Sequence, residues 1–361
     1  MAAADPLVQN DMARSLKVAP LKHKFPPVDT KVYTRLFKCN QMATQRWGRK
    51  HSNLANTDTY DVGTGLALSV GVHHLLEFSV FTSWLSTRAN QTFYKGKTVW
   101  ITGASSGIGA SLSRELDQCG AHLILSARRE DALEEVRGSC HNPENHRIVM
   151  LDLEDPKSIE SAIQHVHSVC ESVDILINNA GISQRSLALE TDVAVLRRLF
   201  EINTFGPITL TQGVLPKMLA SGGGQVVVVS SVLGRVGMPM RAGYSASKHA
   251  LHGYFESIRP ELSDQNIQFT TVCPGFVDTR ISYNSLQGDG QAYAMQSQVQ
   301  SSGMSPDRCA RQIANAVRRQ KDDTLVGGVE TLIVPMFRFF PSLVRGLSRT
   351  NMFLKKGEDN D

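Results

Sequence analysis

The sequence predicts an α/β domain on a doubly wound parallel sheet, with N-terminal and C-terminal extensions. Three observations predict it. From residue 97 to about 330, short β-branched runs alternate strictly with helical patterns, which implies parallel strands covered by helices on both faces. The first run, Lys97-Thr98-Val99-Trp100-Ile101, opens directly into the glycine-rich turn Thr102-Gly103-Ala104-Ser105-Ser106-Gly107-Ile108-Gly109. A later run, Gln225-Val226-Val227-Val228-Val229, has no polar alternation at all. That is the pattern of a strand buried on both faces.

In chain order, the first strand covers 97–102 and a helix follows the glycine turn to about residue 120. Ala121 to Ala127 is the second strand, with a helix near 131–139. A third strand lies near 148–151, and Pro156 opens a helix running to Cys170, proline being at home in a first helical turn. Val173 to Asn178 is the fourth strand, followed by one long helix from Asp192. The fifth strand is 225–230, and an Ala-rich helix bearing Tyr244 runs to about Leu262. Residues 268–272 form a sixth strand, Pro306 to Arg319 a helix, and the region near Leu325 a last strand. The organisation expected is a basic arm over 1–61, an apolar segment over 62–94, the α/β domain over 95–330 and an apolar, basic tail over 331–361.

A strand, a glycine-rich turn and a helix in that order make a Rossmann-type unit. The glycines let the backbone approach a pyrophosphate, and the helix from about Ile108 offers it free N–H groups and a positive dipole end. A second constellation lies about 130 residues later. Tyr244 and Lys248 stand four apart, on one face of their helix. Ser231 ends the fifth strand, and ligands of open α/β sheets bind at such carboxyl ends.

With these motifs the chain resembles the short-chain dehydrogenase/reductase family over about residues 95–330. Thr102 to Gly109 matches the family's T-G-x-x-x-G-x-G, and Asn178-Asn179-Ala180-Gly181 its N-N-A-G. Asn203, Ser231, Tyr244 and Lys248 fall where its catalytic tetrad falls. Pro274-Gly275-Phe276-Val277-Asp278-Thr279 matches its P-G-x-V-x-T. Within the family, Ile182 to Ser186 and Ser247 to Ala250 look most like one branch. The resemblance implies a cofactor site formed by Gly103, Ser105, Ser106, Gly107, Ile108, Gly109, Asp152, Leu153, Asn179, Ala180, Gly181, Tyr244, Lys248, Pro274, Gly275, Val277 and Thr279. It also implies that Asn203 holds a water relaying protons toward Lys248, and that Lys248 holds the nicotinamide ribose.

The residue types carry the chemistry. Hydride transfer to a carbonyl leaves an alkoxide to be protonated, and a tyrosine does this only if its pKa falls well below about 10. A lysine ammonium one turn away would lower it, so Tyr244 is expected as general acid/base and Lys248 as its tuner. Ser231 is expected to hydrogen-bond the substrate oxygen. After the second strand stand Arg128 and Arg129 with no carboxylate. A carboxylate there would bind the 2′-OH of NAD, whereas an arginine fork suits a 2′-phosphate. NADP is the expected cofactor, although Ser106 stands where some NADP-using relatives carry a basic residue. The expected function is NADP(H)-linked carbonyl–alcohol interconversion on a lipophilic small molecule such as a steroid, retinoid or other lipid. The alternative is a non-catalytic NADP-binding scaffold subunit.

Of 361 residues 41% are hydrophobic, enough for one α/β core of roughly 230 to 250 residues. Six scattered cysteines without a Cys-x-x-Cys pair read as reduced thiols, and no metal site is expected at His249 or His252. No basic stripe carries interleaved aromatics, so nucleic acid is not an expected partner. The net charge of +4 is concentrated in residues 1–51, which hold ten Lys/Arg and three Asp. The apolar segment after this arm is long enough to span a bilayer. Its His73, His74 and Glu77 make a lipid-exposed span costly, so a span, an interfacial helix and a helix packed on the domain all remain open. Together with the Phe/Arg-rich stretch 332–349, the arm and segment point to a membrane surface. The expected location is membrane-associated, at the endoplasmic reticulum or else a mitochondrion or other organelle. A homo-oligomer is also an open expectation.

Overall fold

The computed structural model describes residues 86–295 and 301–348. The basic arm, most of the apolar segment and the end of the tail lie outside the described residues. Seven parallel strands form one sheet: β1 (Thr98–Thr102), β2 (His122–Ser126), β3 (Arg147–Ile148), β4 (Ile175–Asn178), β5 (Gly224–Val229), β6 (Ile267–Pro274) and β7 (Asp323–Val326). Their order is β3-β2-β1-β4-β5-β6-β7. The order reverses between β1 and β4, where Val99 pairs with Leu123 on one side and Ile175 on the other. A reversal of this kind opens a crevice at the carboxyl ends of the strands.

Side chains of a strand point alternately to its two faces, so each strand feeds two cores. Val99, Ile101, Leu123, Leu125, Ile175 and Ile177 enter one core. It is covered by α1 (Gly107–Gln118), α2 (Glu130–Gly138) and the helix Pro306–Arg318. Trp100, Ile124, Leu176, Val226 and Val228 enter the other. That face is covered by α3 (Pro156–Val169) and, past the short α4 (Val193–Phe200), by α5 (Gly206–Ala220) and α6 (Ala242–Glu261). The central strands therefore carry apolar residues on both faces, as the unbroken valine run of β5 anticipates.

The helix Pro306–Arg318 is α7, and α8 (Ile333–Phe339) and α9 (Pro341–Ser348) follow β7. Residues 86–94 are helical and pack on α7. Tyr94 is fully buried and donates to the Ala314 carbonyl at 2.8 Å, while Asn90 accepts from Arg318 at 2.8 Å. The α/β body therefore begins before the first strand.

Two elements differ from expectation. The third strand is Arg147–Ile148 rather than 148–151, although Val149 and Leu151 still donate to Leu125 and Ala127 of the neighbouring segment. The long helix from Asp192 is broken into α4 and α5 by a π-helical turn, Glu201–Phe205. Such a turn inserts one residue into the helical ladder, and in folded proteins it often marks a functional position.

Candidate active site

The glycine turn lies at the carboxyl end of β1, and sterics dictate its composition. Gly103 has φ +66°, and a Cβ there would come within 2.8 Å of the Ala180 Cα. A Cβ on Gly109 would lie 2.1 Å from the Gly103 carbonyl oxygen. Asn179 braces the same turn, its Nδ2 donating to the Thr102 and Gly103 carbonyls at 2.9 and 3.3 Å. Thr102 Oγ1 in return accepts from the Asn179 and Ala180 amides, both at 3.1 Å. The N-N-A-G and T-G motifs thus form one interlocked unit.

The start of α1 fits a phosphate. Ser106 is its N-cap residue and makes no side-chain capping bond, and the first turn holds no acid. The helix N–H groups and dipole are therefore unopposed there. The end of β2 adjoins this turn, since the Ala104 amide donates to the Ser126 carbonyl at 3.1 Å. Arg128 and Arg129 follow, both exposed. The Leu151 amide donates to the Ala127 carbonyl, which puts Asp152 and the buried Leu153 beside the arginines. On the other side, Thr279 covers Gly107, whose Cβ would be 3.1 Å from Thr279 Cγ2. Ser105 belongs to the turn itself and Ile108 to the first turn of α1. Pro274 ends β6, Gly275 donates to the Val326 carbonyl at 2.8 Å, and Val277 is buried against the core. These expected cofactor residues thus lie at or just after the carboxyl ends of β1, β2, β3, β4 and β6.

The four expected catalytic residues gather at the same end of the sheet, all buried. Asn203 sits in the π turn and clamps Ile182. Its Oδ1 accepts from the Ile182 amide at 2.8 Å, and its Nδ2 donates to the Ile182 carbonyl at 2.9 Å and to Ser247 Oγ at 3.0 Å. One lone pair of Oδ1 is all the side chain has left for the relay water the resemblance implied. A Cβ at Gly181 would lie 3.0 Å from Asn203 Oδ1 and 3.2 Å from Lys248 Nζ, so those two groups meet over this glycine.

Ser231 Oγ accepts from the Leu233 amide at 3.1 Å and hydrogen-bonds Tyr244. Burial pushes the Tyr244 pKa above its usual value, while the Ser231 hydrogen bond and the charge of Arg241 pull it back. Arg241 is thus a second cation beside the expected tuner, Lys248. Lys248 donates to the Val229 carbonyl at 3.0 Å, and burial lowers its own pKa to about 8. Arg241 went unremarked in the sequence, where its only signal was an isolated charge within Gly237-Met238-Pro239-Met240-Arg241-Ala242-Gly243.

Behind the site, His249 Nδ1 lies 2.8 Å from the Ser245 carbonyl, and the buried His252 has its pKa lowered to about 3 by burial and by surrounding cations. Among the described residues, Asp117, Cys140 and His146 place possible ligand atoms within 4.8 Å of one another. The Leu123 amide donates to His146 Nδ1 at 3.3 Å, so the ring proton must sit on Nε2, facing Asp117 Oδ1 at 3.0 Å. Asp117 also accepts from the His141 and Asn142 amides. A proton-filled network of this kind anchors the loop after α2. The five described cysteines are free thiols.

Comparison with known proteins gives a consistent answer. A family profile described as short chain dehydrogenase matches residues 97–289. Dehydrogenase/reductase SDR family member 7B of Xenopus laevis is 35% identical over 286 residues, covering 77% of this chain and 87% of that protein. This is the branch that Ile182 to Ser186 and Ser247 to Ala250 resemble. Among solved structures, a short chain dehydrogenase from Burkholderia cenocepacia in complex with NADP aligns with a TM-score of 0.60 at 24% identity, over 71% of this chain and 99% of that one. A short chain dehydrogenase/reductase from Burkholderia phymatum in complex with NAD aligns with a TM-score of 0.62 at 21% identity, over 70% and 96%. At such identities these two structures speak to the fold.

Proposed function

The chain belongs to the short-chain dehydrogenase/reductase family of oxidoreductases, and on that premise we propose that it is an NADP(H)-dependent enzyme interconverting a carbonyl and an alcohol on a lipophilic substrate. One observation carries the reading: Tyr244, hydrogen-bonded to Ser231, stands with Lys248 and Asn203 at the sheet end that also holds the uncapped glycine turn. A nicotinamide cofactor held at that turn would supply the hydride. Tyr244 then gives its phenolic proton to the developing alkoxide. Burial favours the protonated phenol, which suits the reducing direction, and Ser231 stabilises the charge forming on the oxygen. Lys248 and Asn203 flank Gly181, where they would hold the ribose and re-supply the proton.

NADP over NAD is supported by Arg128 and Arg129, which stand exposed directly after β2, ahead of the acids Glu130 and Asp131 in the first turn of α2. A lipophilic substrate is supported by apolar side chains beyond β7. Leu332, Phe339 and Phe340 are 56, 71 and 63% exposed, with Arg338 between them. The same surface supports contact with a membrane. Among the described residues, no helix is long and apolar enough to cross one.

The test is NADPH oxidation by the purified protein over a panel of lipophilic ketones and aldehydes. Turnover of any of them that Tyr244→Phe abolishes supports the enzyme. Tight NADPH binding with no turnover across the panel supports the scaffold alternative. For the membrane, the full chain should sediment with vesicles containing anionic lipid, and deletion of residues 1–85 should weaken this. That truncation must stop before residue 86, because Asn90 and Tyr94 are anchored to α7. A full-length protein that stays in the supernatant would refute the membrane reading.

A further inference from the structure

Arg241 acts on Tyr244 and Arg185 acts on Arg241, and among the described residues no acid pairs with either arginine. Arg241 lies three residues before Tyr244, at the start of α6. Its Nη1 donates to Ser183 Oγ and the Gln184 carbonyl, both at 2.9 Å, and to Ser285 Oγ at 3.3 Å. These acceptors are all neutral. All three bonds also leave from one nitrogen, so the donors on Nε and Nη2 remain for another acceptor.

Arg185 is the second. Its guanidinium lies 5.2 Å over the Tyr293 ring, and its Nε is buried without a hydrogen-bond partner. Burial and then the like charge of Arg185 lower the Arg241 pKa to about 10, which leaves it protonated at neutral pH. Among the described residues the arginine ion pairs are made by Arg114, Arg137, Arg198, Arg235 and Arg259, and neither Arg185 nor Arg241 joins one. Both side chains remain partly exposed, so the pair can be reached from outside.

The loops that carry the pair are tied to one another. The Arg185 amide donates to the Leu286 carbonyl at 2.8 Å and the Ser186 amide to the Met240 carbonyl at 3.2 Å. The Tyr293 amide donates to the Ser285 carbonyl at 2.7 Å. Met240, just before Arg241, and Ala294, just after Tyr293, hold left-handed backbone with φ of 60° and 54°. Non-glycine residues keep such conformations only where their surroundings over-determine them. The two guanidinium groups are therefore held near each other despite their repulsion.

We infer that Arg241 and Arg185 form an anion subsite near Tyr244, and that the substrate carries a carboxylate or phosphate close to its reacting carbonyl. The inference rests on the reductase reading above. Like charges held partly out of water against neutral partners are unfavourable, and an anion between them reverses the sign. Guanidinium donors match both carboxylate and phosphate in geometry. The cofactor's own phosphates do not explain the pair. Their place is the turn after β1 and the end of β2, whereas Arg185 and Arg241 belong to the loops after β4 and before α6.

The test compares methyl ketones of matched carbon number that end in a methyl group, a carboxylate or a phosphate monoester, at short and long separation from the carbonyl. With NADPH, the full-length protein should prefer an anionic member over its neutral parent by at least tenfold in kcat/KM. The better of the two anionic series tells carboxylate from phosphate. Within each variant the anionic-to-neutral ratio cancels general damage. It should fall about tenfold in Arg185→Gln and Arg241→Gln and recover in large part in Arg185→Lys. A second readout needs no turnover: calorimetric binding of dodecanoate, dodecyl phosphate and dodecanol to the NADP-loaded protein. The anions should bind tighter than the alcohol, and the arginine variants should erase the difference. Turnover of neutral and anionic ketones alike, with equal binding of all three probes, would overturn the subsite and leave the reductase standing. A protein that turns over nothing yet binds the anions through these arginines would overturn the reductase reading and keep the subsite.

Discussion

Along the glycine turn the chain presents main-chain N–H groups and keeps side chains away, whereas around Tyr244 it does the reverse. On the first wall, Gly103 and Gly109 exist because a Cβ at either would strike backbone atoms. The polar side chains there, Thr102 and Asn179, turn inward to brace the loop. On the second wall, Ser231 after β5, Asn203 in the π turn, and Arg241, Tyr244 and Lys248 on α6 all project functional groups. The difference has a physical reason. A pyrophosphate is the same in every substrate turnover and can be met by fixed backbone dipoles. A proton donor needs a side chain whose affinity for the proton can be tuned by burial and neighbouring charge.

That contrast can be broken first at Tyr244, the proposed proton donor. Tyr244→Phe removes one hydroxyl and leaves the backbone wall intact. The expected loss in kcat is about a thousandfold, within the usual range for general acid–base catalysis, or about 4 kcal/mol of barrier. NADPH binding, followed by fluorescence, should stay within about threefold of the original. A variant that kept most of its turnover would remove Tyr244 from the chemistry.

Lys248 sharpens the comparison, because its burial comes at the expense of stability. Its folded pKa of about 8 lies below the ordinary 10.5. Below pH 8 the buried ammonium is charged in both states and its desolvation weakens the fold. As pH rises from 8 to 10.5 the folded protein releases the proton first, and that penalty fades. Lys248→Met should therefore raise the stability of the cofactor-free protein at pH 7 by up to about 3 kcal/mol, with the gain shrinking between pH 8 and 10.5. Turnover should fall in the same variant. Denaturant melts across pH measure the first effect, and a variant less stable than the original at pH 7 would contradict it.

The backbone wall can be broken with a single methyl group. Gly109→Ala places a Cβ 2.1 Å from the Gly103 carbonyl oxygen, a contact only main-chain movement can relieve. Overpacking of this kind costs about 1 to 3 kcal/mol, and here it also distorts the turn. Both the melting temperature and NADPH affinity should drop. Gly253→Ala, on α6, meets nothing within 4 Å and serves as the control that should be neutral or slightly stabilising.

The same contrast decides what could be read in the sequence. The backbone wall was legible because sterics leave only glycine at its key positions, and Asn179 follows for the bonds it must make. Tyr244, Lys248 and Ser231 were legible because helix spacing and a strand end place them together. The π turn was not, since Glu201-Ile202-Asn203-Thr204-Phe205 reads as continuous helix and an inserted residue leaves no compositional mark. Arg241 escaped for another reason. Its partners Ser183, Gln184 and Ser285 come from loops far apart in sequence, and nothing local records their meeting.

The smallest expected effect lies at the outer edge of the backbone wall, where side chains take over again. Arg128 and Arg129 are exposed, so water and salt screen their attraction for a 2′-phosphate. A charge-assisted pair in that setting gives a modest preference, about tenfold for NADPH over NADH, which corresponds to about 1.4 kcal/mol. Arg128→Ala should erase most of it by raising the KM for NADPH while leaving NADH kinetics almost unchanged, because NADH has no phosphate there. The preference should also shrink as salt rises from 50 to about 500 mM, unlike the effect of Gly109→Ala, which is steric. Equal use of both cofactors by the unaltered protein would show that the two arginines do not select the cofactor. Loss of NADH activity in Arg128→Ala would show instead that Arg128 holds a part of the dinucleotide common to both.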